Sequence, residues 1–151
     1  MGCGGGGLLS GVAAAVKLSG SSAVVIGVEP EGANSMGRSM EAGRALWMPN
    51  GRTDTIAHGL APPFAGRACY NHVAKFVDEM VTVTDLDIKK ATRALYDVGI
   101  VSEVSGAAAV AAVLFGRVGN ISGKRVVCVV SGRNISPQEL MHDVFECHRG
   151  M

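Results

Sequence analysis

Gly4-Gly5-Gly6-Gly7-Leu8-Leu9-Ser10-Gly11-Val12-Ala13-Ala14-Ala15-Val16 is the stretch from which the rest of the chain can be read. Four glycines run straight into an apolar helical pattern, so a turn ends at a helix N-terminus. Glycine admits φ > 0 and brings bare N–H groups against an oxyanion, and the first helical turn adds unpaired donors and the positive end of the dipole. The stretch reads as a cup for a single terminal phosphate. Loops of this kind follow a strand that holds them, and only Met1-Gly2-Cys3 precede this one. The expectation is a chain that is one part of a larger unit.

Outward from the glycines, the hydrophobic pattern switches repeatedly between helix and strand periods. Helix is predicted over Leu8–Leu18, a fully buried strand over Ala23–Val28, and a helix over Asn34–Arg44 that carries Met36 and Met40 and is capped by Asn34. A loop rich in Pro and Gly, Met48–Pro63, leads to a predicted helix over Gly66–Asp78 with Val73, Phe76 and Val77 on one face. Met80–Val83 reads as a short strand. Thr84 and Asp87 form a capping-box pattern for a helix ending before Gly99. Ile100–Glu103 reads as a brief strand, Ser105–Arg117 as an alanine-rich helix, and Arg125–Val130 (RVVCVV) as the last buried strand. Ser136-Pro137-Gln138-Glu139 opens a final helix.

Alternating helices and continuous apolar strands predict an α/β fold: three layers, with a twisted parallel sheet covered by helices on both faces. In such sheets ligands bind beyond the carboxyl ends of the strands. Gly4–Gly7, the Glu103-Val104-Ser105 turn and Ser131-Gly132-Arg133-Asn134 all fall there. A second phosphate reading stays open at the first loop. Gly2-x-Gly4-x-x-Gly7 formally fits a dinucleotide fingerprint, with Glu29 placed for the ribose, but its preceding strand is missing from the pattern.

Composition excludes several classes. At 151 residues the chain is at most one domain, and its 48% hydrophobic content suffices for a core. Fourteen basic against thirteen acidic residues, with no run of like charge, argue against a nucleic-acid or membrane-surface partner. The longest apolar stretch, Ala107–Phe115, is too short to span a bilayer. Cys3, Cys69, Cys128 and Cys147 show no metal-finger spacing and read as free thiols in a reducing compartment, which predicts a cytoplasmic protein.

Five ordered segments carry a family resemblance: Gly4-Gly5-Gly6-Gly7-Leu8, Val28-Glu29-Pro30, Thr55-Ile56-Ala57-x-Gly59-Leu60, Glu103-Val104-Ser105-Gly106-Ala107-Ala108 and Val130-Ser131-Gly132-x-Asn134. In order and spacing the chain resembles the C-terminal half of the fold-type II pyridoxal-phosphate enzymes, nearest the threonine/serine dehydratase and serine racemase group. The resemblance implies the C-terminal part of the large domain of a tryptophan-synthase-β-like fold, with residues 1–151 as a single partial domain. It implies pyridoxal phosphate as cofactor, held at its phosphate by Gly4, Gly5, Gly6, Gly7 and the Leu8 amide. Ser131 falls at the family's pyridine-nitrogen position and Glu103 near the cofactor ring. A turn cap for Ser131 and a solvated turn carboxylate for Glu103 are the plain alternatives.

The implied reaction is β-elimination of threonine or serine to a 2-oxo acid and ammonia. Racemisation by the full enzyme, a non-catalytic half-domain interaction protein, and a nicotinamide-dependent piece are the alternatives. A homo-oligomer of the full enzyme is implied. Glu29 matches a carboxylate that in several members helps bind a divalent cation, but the partner acid is Ser35 here. His58 stands where many relatives carry Asp, and it is assigned no role. The main departure concerns the catalytic lysine that holds the cofactor as a Schiff base. In the family it lies in the N-terminal half, and none of Lys17, Lys75, Lys89, Lys90 or Lys124 has its context. No catalytic residue is therefore assigned, and the chain alone is expected to be inactive. Unpaired sheet edges predict a marginal or aggregating product when it is expressed alone. A C-terminal amino-acid-sensing module is not expected, and a catabolic or racemase-like member is.

Overall fold

Two strands, β1 (Ile26–Pro30) and β2 (Glu79–Val83), pair in parallel, with Ile26 opposite Glu79 and Pro30 opposite Val83. The computed structural model describes residues 1–48 and 51–145. On the far side of β1, residues 1–3 add a parallel bridge between Gly2 and Val28. The N-terminal ammonium donates to the Ile26 carbonyl at 2.7 Å, Val28 donates to Met1 at 2.9 Å, and Cys3 donates to Val28 at 2.8 Å. Three residues thus do the work of the strand that the glycine loop requires.

The pleat sends alternate side chains to opposite faces, and each face has its helices. Val28, Val81 and Val83 meet Ile88, Ala91 and Leu95 of α4 (Asp85–Asp97) and Ala108, Ala111 and Ala112 of α5 (Ala108–Leu114). On the other face, Met80 and Val25 meet Leu9 and Ala13 of α1 (Gly7–Leu18), Met36 of α2 (Ser35–Ala42) and Val73 of α3 (Arg67–Phe76). The result is three layers, as the alternating pattern predicts. Full burial of each large side chain in these clusters contributes about 1.5–3 kcal/mol.

Local chemistry sets the helix starts. The Thr84 hydroxyl accepts from the Asp87 amide at 3.0 Å, and the Asp87 carboxylate accepts from the Thr84 amide at 3.3 Å. Arg117, beyond the end of α5, binds the same carboxylate at 2.7 Å and so ties α5 to the start of α4. Burial works against ionisation of Asp87, yet the bonds from Arg117 and Thr84 outweigh it and hold the carboxyl below its ordinary range. Ser136 and Glu139 form the second capping box, at the start of α6 (Pro137–Leu140). Among the described residues, Cys3 is a buried free thiol and Cys69 and Cys128 are half-buried ones, while Cys147 lies outside the described residues. Burial pushes the Cys3 thiol far above its ordinary value.

Several expectations need correction. β1 starts later than Ala23 and continues through Pro30, which brings Glu29 inside the strand. Asn34 occupies the N-cap position of α2, but its side chain makes no capping bond, because the amides it would serve donate to Glu29 instead. Residues 100–103 form no strand; the Glu103 amide donates to Gly132 at 3.1 Å, and no ladder follows. The alanine-rich helix opens as a 3₁₀ turn, Val104–Ala107, before α5. Residues 125–130 form no strand and are not buried, since Val126 and Val127 are exposed. A strand needs a hydrogen-bonded neighbour, and among the described residues nothing pairs with this segment.

Candidate cofactor half-site

The cup begins where residues 1–3 leave β1. Gly6 is the N-cap of α1 with φ 91° and ψ 0°, a left-handed conformation that costs glycine nothing. A Cβ there would stand 2.4 Å from Met36 Cε and 2.9 Å from Cys69 Cβ, so a side chain is excluded twice over. The Gly5 carbonyl accepts from Gly66 at 3.1 Å, which fastens the loop to the start of α3. The amides of Gly4 through Leu9 donate to no acceptor among the described residues. No acidic residue occupies the first turn of α1, so the positive end of a twelve-residue helix is left uncompensated.

The opposite wall comes from three loops stitched together. Ser105 Oγ accepts from the Gly59 amide at 2.9 Å, and Glu103 Oε2 accepts from the Asn134 amide at 2.9 Å. Gly132 must be glycine for this closure, since its Cβ would lie 2.5 Å from the Glu103 carboxyl. The Thr55–Leu60 segment is anchored from below, where the Ile56 amide donates to Asp85 at 3.0 Å at the start of α4. His58 opens a short 3₁₀ turn on the exposed side.

Together these walls enclose a concavity of about 230 Å³. Every residue that the sequence placed at the cofactor lines it: Gly4, Gly5, Gly6, Gly7, Leu8, Glu103 and Ser131. Gly59 and Leu60 line it too. Their motif was legible in the sequence, but without the fold there was no way to see which end of it faces the cup. None of the five lysines lines the cavity. Lys17 pairs with Asp78 at 2.7 Å, Lys75 lies over Phe76, and Lys90 lies over Phe115.

Glu29 stands apart from this cavity. It is 1% exposed, and its two carboxylate oxygens accept from the Met36 and Gly37 amides, each at 2.8 Å. Burial pushes its carboxyl up to about 7, against the pull of the Gly37 and Met36 amides. Turned toward α2, it cannot take a ribose at the cup, which removes the acid that the dinucleotide reading requires. A divalent cation does not fit here either. The carboxylate faces two N–H donors, Ser35 supplies only a neutral hydroxyl, and no group of three His, Cys, Asp or Glu capable of holding a metal occurs among the described residues.

Residues 1–132 match the family model described as pyridoxal-phosphate dependent enzyme. The chain belongs to that family. It is 40% identical over 132 residues to a phenylserine dehydratase of Ralstonia pickettii, covering 87% of this chain and 40% of that protein. It is 41% identical over 133 residues to an L-threonine ammonia-lyase of Thermotoga maritima, covering 87% of this chain and 32% of that one. Among solved structures, it superposes on maize serine racemase with a TM-score of 0.84 at 32% identity, covering 95% of this chain and 44% of that one. Threonine deaminase isoform 2 of Solanum lycopersicum gives 0.82 at 32% identity, with 95% and 42% covered. The chain thus spans less than half the length of these relatives.

Pyridoxal phosphate is the cofactor of this pyridoxal-phosphate family, and the cup fits its phosphate. A Cβ at Gly7 would meet nothing within 4 Å and one at Gly5 only Pro62 at 3.8 Å, so the space beside these open amides is free for a ligand. No helix among the described residues is long and apolar enough to cross a membrane.

Proposed function

We propose that this pyridoxal-phosphate-family chain is the phosphate- and pyridine-binding half of an ammonia-lyase that eliminates water from a hydroxy amino acid of the threonine/serine class. One observation carries the reading: the glycine cup with its open amides, Glu103 and Ser131 line one cavity, and no lysine shares it. Bound there, the cofactor supplies the electron-accepting ring that lets an amino acid lose its α-proton. The Gly4–Leu9 amides and the α1 dipole hold the phosphate. Ser131 offers the ring nitrogen a hydroxyl where a carboxylate would hold a firm proton, which makes a moderate electron sink suited to loss of a β-hydroxyl. Glu103, with one oxygen engaged by the Asn134 amide, keeps the Ser131 loop against the cavity. The lysine belongs to the part of the relatives that this chain does not span. The chain is then a partial domain of a cytoplasmic, homo-oligomeric enzyme, inactive by itself.

Thermal unfolding of the purified chain with pyridoxal phosphate, inorganic phosphate, pyridoxal or NAD tests the site. Stabilisation by the two phosphate compounds and not by pyridoxal is the expected result; stabilisation by NAD alone would replace this reading with the dinucleotide one. Assays of 2-oxo acid release from threonine and serine should show none. Turnover by the chain alone would refute the division of labour proposed here.

A further inference from the structure

Besides the backbone bonds of residues 1–3, the end of β1 reaches the floor of the glycine cup through a buried carboxylate and α2. Glu29 sits in the strand with both oxygens on the first amides of α2, and a Cβ on Gly37 would lie only 3.2 Å from Oε2, so the helix end is seated closely on it. The next residue along that contact is Met36, which is fully buried and whose Cε fills the place that a side chain on Gly6 would need. Cys69 of α3 closes the same spot from the other side. A shift of α2 therefore moves the floor under Gly6, the residue whose left-handed turn aims the cup.

We infer that Glu29 is a positioning residue for the glycine cup, clamping α2 with its carboxylate at the place where the family resemblance puts a divalent cation, and that the cup works without such an ion. A cation beside Glu29 would face the positive end of α2 rather than a second acid. Ser35, at the partner position, contributes a buried hydroxyl that has no hydrogen-bond partner among the described residues. Both Glu29 oxygens already accept from amides, and the partner position offers a neutral hydroxyl in place of a second carboxylate, so magnesium, which is held by one or two carboxylates and otherwise keeps its waters, finds no anionic oxygen here that is not already hydrogen-bonded. The amide donors of α2 occupy the carboxylate in the ion's stead. This inference rests on the phosphate reading of the cup.

The test uses the full chain with inorganic phosphate as the probe, read by calorimetric titration at fixed pH, with EDTA or with millimolar Mg²⁺, Ca²⁺ or Mn²⁺. Wild-type affinity should be the same within twofold in all of them. Glu29→Gln, which keeps the size and loses one acceptor, should weaken phosphate about tenfold, the scale of one misaligned charge-assisted bond. Should that variant not fold, Met36→Ala leaves the clamp in place and removes the floor beneath Gly6, and the same loss is expected. Affinity unchanged in a folded variant that is merely less stable would overturn the positioning role. Tighter phosphate binding with a divalent ion in wild type, abolished in Glu29→Gln, would restore the cation and overturn the inference. If wild type binds no phosphate, the cup reading itself falls and takes the inference with it; phosphate binding that ignores Glu29 and Met36 sinks the inference alone.

Discussion

Around the glycine cup, β1 has β2 on one side and residues 1–3 on the other, and Val28 is 2% exposed. Along residues 125–130 the backbone makes no ladder bond among the described residues, and Val127 is 84% exposed. By intrinsic preference the second is the better strand, since residues 125–130 carry four valines while β1 has one valine together with Gly27 and Pro30. What separates them is company. The first is held by hydrogen bonds on both edges and by helices on both faces, while the second touches the rest through Cys128, whose thiol points at the Ala109 carbonyl of α5 at 3.6 Å. A strand is a relation between segments, and even a valine-rich run without a neighbour stays an apolar edge.

The contrast can be broken by truncation of side chains. Leu9→Ala, at a fully buried position where α1 meets β1, should cost about 2–5 kcal/mol in denaturant unfolding, whereas Val127→Ala should change stability by no more than about 0.5 kcal/mol. Equal losses at the two sites would mean that residues 125–130 are packed after all. Gly6→Ala should cost about 1–3 kcal/mol through backbone strain alone and should also remove the stabilisation that phosphate confers. A variant that loses stability but keeps phosphate would detach the cup from its turn.

Asp87 lies on the seam between α4 and the end of α5, capping α4 and pairing with Arg117. Its folded pKa lies below the ordinary value, so its contribution is present above the unfolded carboxylate pKa and is lost as pH falls through the folded one. Asp87→Asn should cost about 1–2 kcal/mol at neutral pH and flatten the acid limb of the stability curve. An unaltered acid limb would show that Arg117 contributes nothing across the seam. Smallest in stability, yet the sharpest on association, is Val127→Lys. It should leave the unfolding midpoint in place and lower self-association in sedimentation, because a charge on an unpaired edge opposes strand addition. Undiminished association would place the sticky surface elsewhere, with Trp47, which is exposed and packed against Phe64, as the next position to change.

Much of the site was legible before folding. The glycine run, the capping boxes at Thr84 and Ser136 and the segments around Glu103 and Ser131 are local signals; both capping boxes form, and the glycine run, Glu103 and Ser131 line one cavity. Glu29 stays open in the sequence, between a metal ligand and an ordinary strand-end acid, for a reason local to it. A carboxylate at a strand end looks the same whether it faces a metal, a ribose or a helix, and only the path of α2 supplies the two amides that occupy it. Asn34 failed as a cap for the same reason, since a stronger acceptor reached those amides from another element.

The sequence by itself determined the alternation of helix and strand, the turn that glycine alone can make at position 6, and a helix N-terminus with open amides at the start of α1, because φ preferences and helix dipoles act over a few residues. Tertiary structure alone decided which β-branched run becomes a strand and which side chain caps α2. It alone brought Gly59, Glu103 and Ser131 round to face the cup. Those outcomes depend on neighbours far away in the chain, and hydrogen-bond donors are claimed by whichever acceptor the packing carries closest.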